Sequence, residues 1–286
     1  MNVSFVIPSW NYGAIIHEAI GSIMDENLEE GDEIVVCDDC STDNSVEVLT
    51  QLQRRWPIIK VIQHPERRGG GATYNTAIRH SRNPLLFSLD ADNVLISDSV
   101  PHLKQFLVEN NADVAAFRGM YYFGSLPEMV CWPMDVVTLE HHLSGASIPG
   151  FSGNYMFTKE IWEKCGGFPE NTWLDSWGFD FCMAAVGAKI VIMPSLYYRH
   201  RRGHYSAYMR GLDRSPTSQA AFPVIEPYLD LLDERDVEYI IGEGRDVWYD
   251  TLKERPLRLR RNDEDIHSAS GGGVPAPAAT ESLPAA

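Results

Sequence analysis

Two aspartates, Asp90 and Asp92, end the apolar run LLFSLDADN with one alanine between them. Carboxylates are costly to desolvate unless a cation or a donor pairs with them. In an extended segment residues i and i+2 point to the same side, so the spacing lets both carboxylates converge on one cation, with Ala91 turned away. Hard oxygen ligands suit Mg²⁺ or Mn²⁺, ions that keep several waters and share a substrate's phosphates. A turn that closes the strand accounts for the same residues. A second acidic pair, Asp38 and Asp39, ends the strand in VVCDDCSTD. Four carboxylates at two strand ends repel each other unless cations or donors intervene. An acid at a strand end can also accept hydrogen bonds from a nucleoside's base or ribose. Here too a turn competes, with Ser41 or Thr42, or Asp43 together with Ser41, capping the helix that follows. Between these pairs lies RRGGGATYN, residues 67–75. Its glycines let backbone approach a ligand, and amides at a helix start favour anions. Arg67 and Arg68 add charge. No Gly-Lys-Ser/Thr follows and G-x-G-x-x-G is not matched, so the loop is neither a Walker loop nor a dinucleotide fingerprint; a flexible loop is the alternative.

Residues this far apart in the chain act together only if a scaffold gathers the strand ends. Apolar, β-branched runs predict strands at 3–8, 33–39, 58–63, 84–90 and 112–118. Helical spacing predicts helices over 12–24, 46–55, from about Ala72 to His80, and 100–109. Strand–helix alternation with near-continuous apolar strands implies a parallel sheet covered on both faces, joined by right-handed crossovers. The expected class is α/β, a doubly wound, mostly parallel sheet. Its ligand sites lie beyond the carboxyl ends of the strands, where all four aspartates fall. Residues 119–175 interrupt the alternation with aromatics, Gly and Pro, and read as irregular structure with a few strands. A helix over 177–186, a strand over 189–194 and a helix over 226–241 follow. The Gly- and Pro-rich end from residue 262 reads as a disordered tail.

The chain has 286 residues and a formal charge of −16, which argues against a broad grip on nucleic acid or anionic membrane. No run approaches the roughly 18 apolar residues needed to span a bilayer. The first residues lack the basic start and apolar core of a signal peptide. Five scattered cysteines suggest reduced thiols and a cytoplasmic setting. Cys37 and Cys40 have C-x-x-C spacing, but no second pair follows, which favours free thiols over a zinc or redox site.

VIPSWN, VVCDDCSTD, RRGGGATYNTAI and LDADN, in that order, resemble the motifs of family-two glycosyltransferases with the GT-A fold. CGGFPE at 165–170 and the acidic-aromatic stretch after it resemble the family's later region. The resemblance covers roughly residues 3–206. It implies a nucleotide-diphosphate sugar donor, a UDP-sugar by preference, and Mn²⁺ or Mg²⁺. It implies that Asp38 contacts the nucleotide's base, that Pro8 and Asn11 line its pocket, and that Asp39, Arg68 and Gly69 bind the donor. It further implies that Asp90 faces the ribose and that Asp92, with Asp90 beside it in the D-x-D motif, binds the metal. Residues 1–120 would then bind donor and 121–210 acceptor, with a helical extension over 211–261. A glycan, a lipid-linked glycan, a protein or a modified nucleobase would serve as acceptor.

An inverting transfer needs a base for the acceptor hydroxyl. The family places Glu-Asp before an aromatic helix, with the Asp as base. In NTWLDSWGFDFCMAAVG, counted back from Gly187, Asp175 occupies the Glu position and Ser176 the Asp position. Serine cannot act as the base, which leaves Asp175 and Asp180; Asp175 is preferred because site carboxylates come more often from loops than from mid-helix. YYRHRRGHYSAYMR, from residue 197, is the most basic piece of the chain. By resemblance His200 completes the metal shell, while Arg199, Arg201 and Arg202 clamp phosphate. A solvated basic loop is the alternative. Trp132, Trp173 and Trp177 suit sugar stacking or core packing equally. His141 and His142 are expected at the surface or on an acceptor loop. The departure at Ser176 also fits a sugar-nucleotide-binding protein without turnover. A nucleotidyltransferase is disfavoured, since VIPSWNYGA carries no Lys or Arg after the first strand.

Overall fold

A computed structural model describes residues 1–124, 127–143, 153–170, 172–203 and 217–241. The expected tail from residue 262 lies outside them.

The first five strands are β1 (Val3–Ser9), β2 (Glu33–Asp38), β3 (Ile59–Gln63), β4 (Leu85–Ser88) and β5 (Val114–Ala116). Helices α1 (Ile16–Glu26), α2 (Ser45–Arg55), α3 (Gly70–Arg79) and α4 (Ser99–Glu109) connect them. β2, β4 and β5 are buried along their whole length. That explains their continuous apolar sequence: a strand covered on both faces has no solvent side to alternate toward.

The chain continues through β6 (Gly119–Phe123), β7 (Glu128–Cys131), β8 (Val136–Val137), α5 (Leu139–Leu143), β9 (Tyr155–Thr158) and α6 (Lys159–Lys164). Then come α7 (Asp175–Ala185), β10 (Ile190–Ile192), β11 (Tyr197–Arg201), α8 (Thr217–Ile225), a 3-10 helix (Glu226–Leu231) and α9 (Glu234–Ile241). Eight strands form one sheet in the order β3-β2-β1-β4-β9-β5-β10-β8, and β11-β6-β7 form a smaller one. β1 pairs in parallel with β2 on one side and β4 on the other, so the strand order reverses there. A crevice opens at such a reversal, beyond the carboxyl ends.

Three details depart from the sequence reading. β9 is inserted antiparallel between β4 and β5. It is one of the few strands expected within 119–175, but four residues are too few to show a period, so the sequence sets neither its bounds nor its place in the sheet. The helix expected over 226–241 is broken. Asp233 accepts the Arg235 and Asp236 amides at 2.8 and 2.9 Å, while Asp236 accepts the Asp233 amide at 2.9 Å. This reciprocal cap starts a new helix. Finally, neither Ser41 nor Thr42 starts α2. Asp43 Oδ1 accepts the Ser45 amide at 2.9 Å, and Ser41 is drawn to Asp38 instead.

One apolar core fills both faces of the large sheet. A second, with Phe181, Phe222, Ile225, Leu232 and Ile240, binds α8 and α9 to α7. Trp132 is buried in the first core, which gives it a packing role. All five cysteines are free thiols. Among the described residues no helix is long and apolar enough to cross a membrane.

Candidate active site

The tips of β1, β2 and β4 supply one wall of the crevice. Pro8 lies in β1 opposite Cys37, one residue before the tip. Asn11 takes a left-handed conformation, φ 60°, which asparagine tolerates better than most residues. Its Oδ1 accepts the Thr42 amide at 2.7 Å and its own amide donates to Ser41 Oγ at 2.8 Å, tying the loop after β1 to the loop after β2. Asp38 is fully buried. It accepts the Ser41 amide at 2.9 Å and the Ser41 hydroxyl at 2.5 Å. Burial nevertheless holds its carboxyl above the usual range, because these bonds only partly offset desolvation.

Asp39 anchors the glycine turn. Its Oδ1 accepts the Arg68 amide and its Oδ2 the Gly69 amide, both at 2.8 Å. Gly69, at φ +87°, then admits the chain to α3. The Arg68 guanidinium points away to Glu170 at 3.3 Å.

Asp90 to Asn93 form a turn, closed by the Asn93 amide on the Asp90 carbonyl at 3.1 Å. The segment is not extended, so the two carboxylates acquire different partners. Asp90 Oδ1 accepts the Tyr74 hydroxyl at 2.6 Å, and Oδ2 accepts Asn154 Nδ2 at 3.0 Å and Asn93 Nδ2 at 3.3 Å. Burial, and then the charge of Asp92, push its carboxyl up. Asp92 is half-buried and its Oδ2 accepts the Tyr12 hydroxyl at 3.3 Å.

The opposite wall comes from α7 and its approach. Asp175 is the first residue of α7 and lies against the start of α3: a methyl group at Gly70 would sit 2.0 Å from Asp175 Oδ2. One residue later, Ser176 joins the Asp90 group. A methyl at Gly153 would lie 3.1 Å from Ser176 Oγ, 3.3 Å from the Tyr74 hydroxyl and 3.5 Å from Asp90 Oδ1. Asp175 Oδ1 accepts the Ser176 amide at 2.7 Å. Its carboxyl is pushed up to about 6, mainly by burial. Rings hold this wall in place. Tyr74 stacks on Phe168 at 4.4 Å, and Phe168 on Phe179 of α7 at 4.0 Å. Asn75 adds polar contacts: it accepts the Phe168 amide and donates to the Phe168 carbonyl, both at 2.8 Å.

Backbone also closes tightly here. A methyl at Gly71 would lie 2.0 Å from the Pro169 carbonyl oxygen. Gly71→Ala is therefore expected to destabilise the protein by ~1–3 kcal/mol through overpacking, read as a lower urea midpoint. An unchanged midpoint would mean that α3 and the 167–170 segment separate freely.

Asp180 takes a different environment. It is 3 % exposed and faces His142 Nε2 at 3.2 Å, between α7 and α5. Burial pushes Asp180 up to about 7 and His142 down to about 4. His142 is thus a core residue, contrary to the surface position expected. Trp177 stacks on Phe181 at 5.5 Å.

On β11, Arg199 lies over the Phe123 ring at 4.5 Å. Arg202, just beyond the strand, donates to Glu128 at 2.9 Å and covers Tyr122. His200 Nδ1 is 3.4 Å from the Tyr198 hydroxyl. Arg201, the third arginine of the expected clamp, links this strand to the crevice: its amide donates to Asn93 Oδ1 at 3.1 Å and its Nε to the Asp92 carbonyl at 3.2 Å. The sequence does not single out Tyr74 or Asn154, which both hold Asp90. Nothing local in the sequence marks them, since their partner Asp90 lies 16 and 64 residues away.

These titrations give a signed expectation for stability. Asp32 and Asp175, pushed up to about 6, and Asp180, about 7, bind protons in the folded state that the unfolded chain, near 3.9, does not. Stability must rise as pH falls through 7 and 6. His142 opposes this below about 6.5, being held neutral by the fold. With these acids, joined by Asp38 and Asp90, whose carboxyls burial also raises, set against one histidine, the urea midpoint should be higher at pH 6 than at pH 8. The reverse order would mean that these carboxyls are solvated.

The sequence model of the family described as glycosyl transferase family 2 matches residues 4–162. A poly(ribitol-phosphate) beta-glucosyltransferase of Bacillus spizizenii is 30% identical over 116 residues, 40% of this chain and 18% of that protein. The poly(ribitol-phosphate) beta-N-acetylglucosaminyltransferase TarP of Staphylococcus aureus is 28% identical over 114 residues, 39% of this chain and 35% of its own. This chain spans less than half the length of these curated relatives. Among solved structures, S. aureus TarS 1-349 in complex with UDP-GlcNAc superposes with a TM-score of 0.69 at 20% identity, covering 85% of this chain and 71% of that one. That likeness shows the fold, the mostly parallel α/β arrangement of GT-A proteins.

Proposed function

Because this chain belongs to glycosyl transferase family 2, we propose that it moves a sugar from a nucleoside-diphosphate donor to an acceptor hydroxyl, with inversion. A UDP-sugar is the favoured donor, since the superposed TarS structure is a complex with UDP-GlcNAc. The acceptor is a hydroxyl of a glycan or polyol, the class named by the poly(ribitol-phosphate) relatives.

The observation that carries this reading is the seat of Asp175. Its carboxylate faces Gly70 at the start of α3, beside the Ser176, Tyr74 and Asp90 group. Asp175 takes the proton from the acceptor hydroxyl, whose oxygen forms the new bond to the anomeric carbon. The bond from that carbon to the diphosphate oxygen breaks, and the electron pair leaves with the diphosphate. A base near pH 6 suits this work, being ionised at neutral pH yet still basic. Asp180 is turned into a core pair with His142, which favours Asp175 over it.

Asp92 is the residue that would hold a divalent ion, being a half-buried oxygen ligand at a strand tip. Bound there, Mn²⁺ or Mg²⁺ would neutralise the departing diphosphate. The described residues contain no group of three or more His, Cys, Asp or Glu able to hold an ion. Diphosphate oxygens and water would complete the shell, as is usual for ions that keep their waters. Asp90 is occupied with Tyr74, Asn93 and Asn154, so it shapes the turn that presents Asp92.

A thermal-shift screen of UDP- and GDP-sugars, with and without Mn²⁺, tests the donor class, since a ligand that binds the native state raises its melting temperature. Stabilisation by a UDP-sugar with Mn²⁺, followed by UDP release, is the expected result. Binding without release would leave a sugar-nucleotide-binding protein, the reading that Ser176 keeps in view.

A further inference from the structure

We infer that His64 is a positioning residue of the transfer site, acting through Asp39 and the Arg68–Gly69 turn on the seat of Asp175. The inference rests on the reading of Asp175 as base.

His64 follows β3 and is 5 % exposed. Its Nδ1 lies 2.8 Å from Asp39 Oδ1, and its Nε2 lies 2.8 Å from Thr76 Oγ1 and 3.5 Å from Cys37 Sγ. Asp39 already accepts the Arg68 and Gly69 amides, so an ionised, acceptor-only carboxylate suits all three contacts. His64 then donates from Nδ1 to Asp39, and its Nε2 meets the Thr76 hydroxyl. The tautomer is set by these neighbours. Cys37, His64 and Asp39 have the order of a thiol triad, but Cys37 is fully buried and burial pushes its thiol up to about 12. It stays a thiol, and the set is not a nucleophilic centre.

What the set does hold is a turn. With one carboxylate oxygen on each of two successive amides, Asp39 fixes where Gly69 turns and where α3 begins. His64 prevents that carboxylate from rotating. The next residue, Gly70, is the surface on which Asp175 rests. A carboxylate free to rotate would release the turn, and the base would lose its backing. Misplacing a reacting group by about 1 Å costs on the order of a hundredfold in rate.

The test uses the full chain, with UDP release from UDP-glucose or UDP-N-acetylglucosamine and Mn²⁺ as the activity readout. His64→Leu should lower kcat by roughly ten- to a hundredfold and leave the donor KM within about threefold. His64→Asn, whose Nδ2 can still donate to Asp39, should recover most of that loss. Hydrogen exchange, measured without substrate, should show the Arg68 and Gly69 amides exchanging at least roughly tenfold faster in His64→Leu and protected again in His64→Asn. Wild-type kcat in His64→Leu, or His64→Asn no better than His64→Leu, overturns the inference. If His64→Leu does not fold, Thr76→Val carries the test: a lower kcat at unchanged KM supports it, and a wild-type kcat overturns it. Asp175→Asn, run alongside, separates the two ideas. Wild-type turnover in Asp175→Asn removes the base assignment, whereas unchanged amide exchange in His64→Leu removes the anchor.

Discussion

Replacing Asp175 with asparagine is expected to lower kcat by about 10²–10⁴-fold, with the donor KM little changed. The amide keeps the shape of the carboxylate against Gly70 but cannot take a proton. The loss should therefore fall on the chemical step and not on donor binding. Stability should hold or rise, since the native carboxyl is pushed up to about 6 by burial and is costly to ionise. The wild-type pH profile gives a second check. The base works only when ionised, so kcat should fall as pH drops through about 6. Asp180→Asn is the control, because its carboxylate faces His142 in the core. Loss of turnover in Asp180→Asn but not in Asp175→Asn would reverse the assignment.

Asp92→Ala is expected to reduce transfer by roughly a thousandfold, the factor that several kcal/mol of charge stabilisation represents. Donor stabilisation in the thermal-shift screen should lose its dependence on Mn²⁺. The fold should survive, because Asp92 is half-buried and the Asp90–Asn93 turn is closed by backbone. Asp90→Ala should behave differently. It removes the acceptor of the buried Tyr74 hydroxyl and one acceptor of the Asn154 amide, so it should cost stability as well as activity. Donor hydrolysis in Asp92→Ala that still needs Mn²⁺ would remove Asp92 from the metal site.

Much of this is legible in the sequence alone. The buried strands announce themselves because a strand covered on both faces must be apolar throughout, as EIVVCD and LLFS are. Acids at their ends, a glycine turn between them and the order of four motifs were enough to point to a donor crevice at strand tips. Ser176 in place of the family's aspartate was equally plain.

The roles of individual carboxylates were not. Asp38 and Asp39 are neighbours in the same motif, yet one closes a local turn with Ser41 while the other holds amides about 30 residues on. Asp175 and Asp180 lie on one helix, yet one meets the start of α3 and the other a buried histidine. β9 enters the sheet from a segment too short to show a period. Local sequence sets which segments become strands and helices, because burial imposes its period on neighbouring residues. What a carboxylate does depends on its desolvation and on which donors reach it. Those donors come from elements far away in the chain, so only the packed fold could decide it.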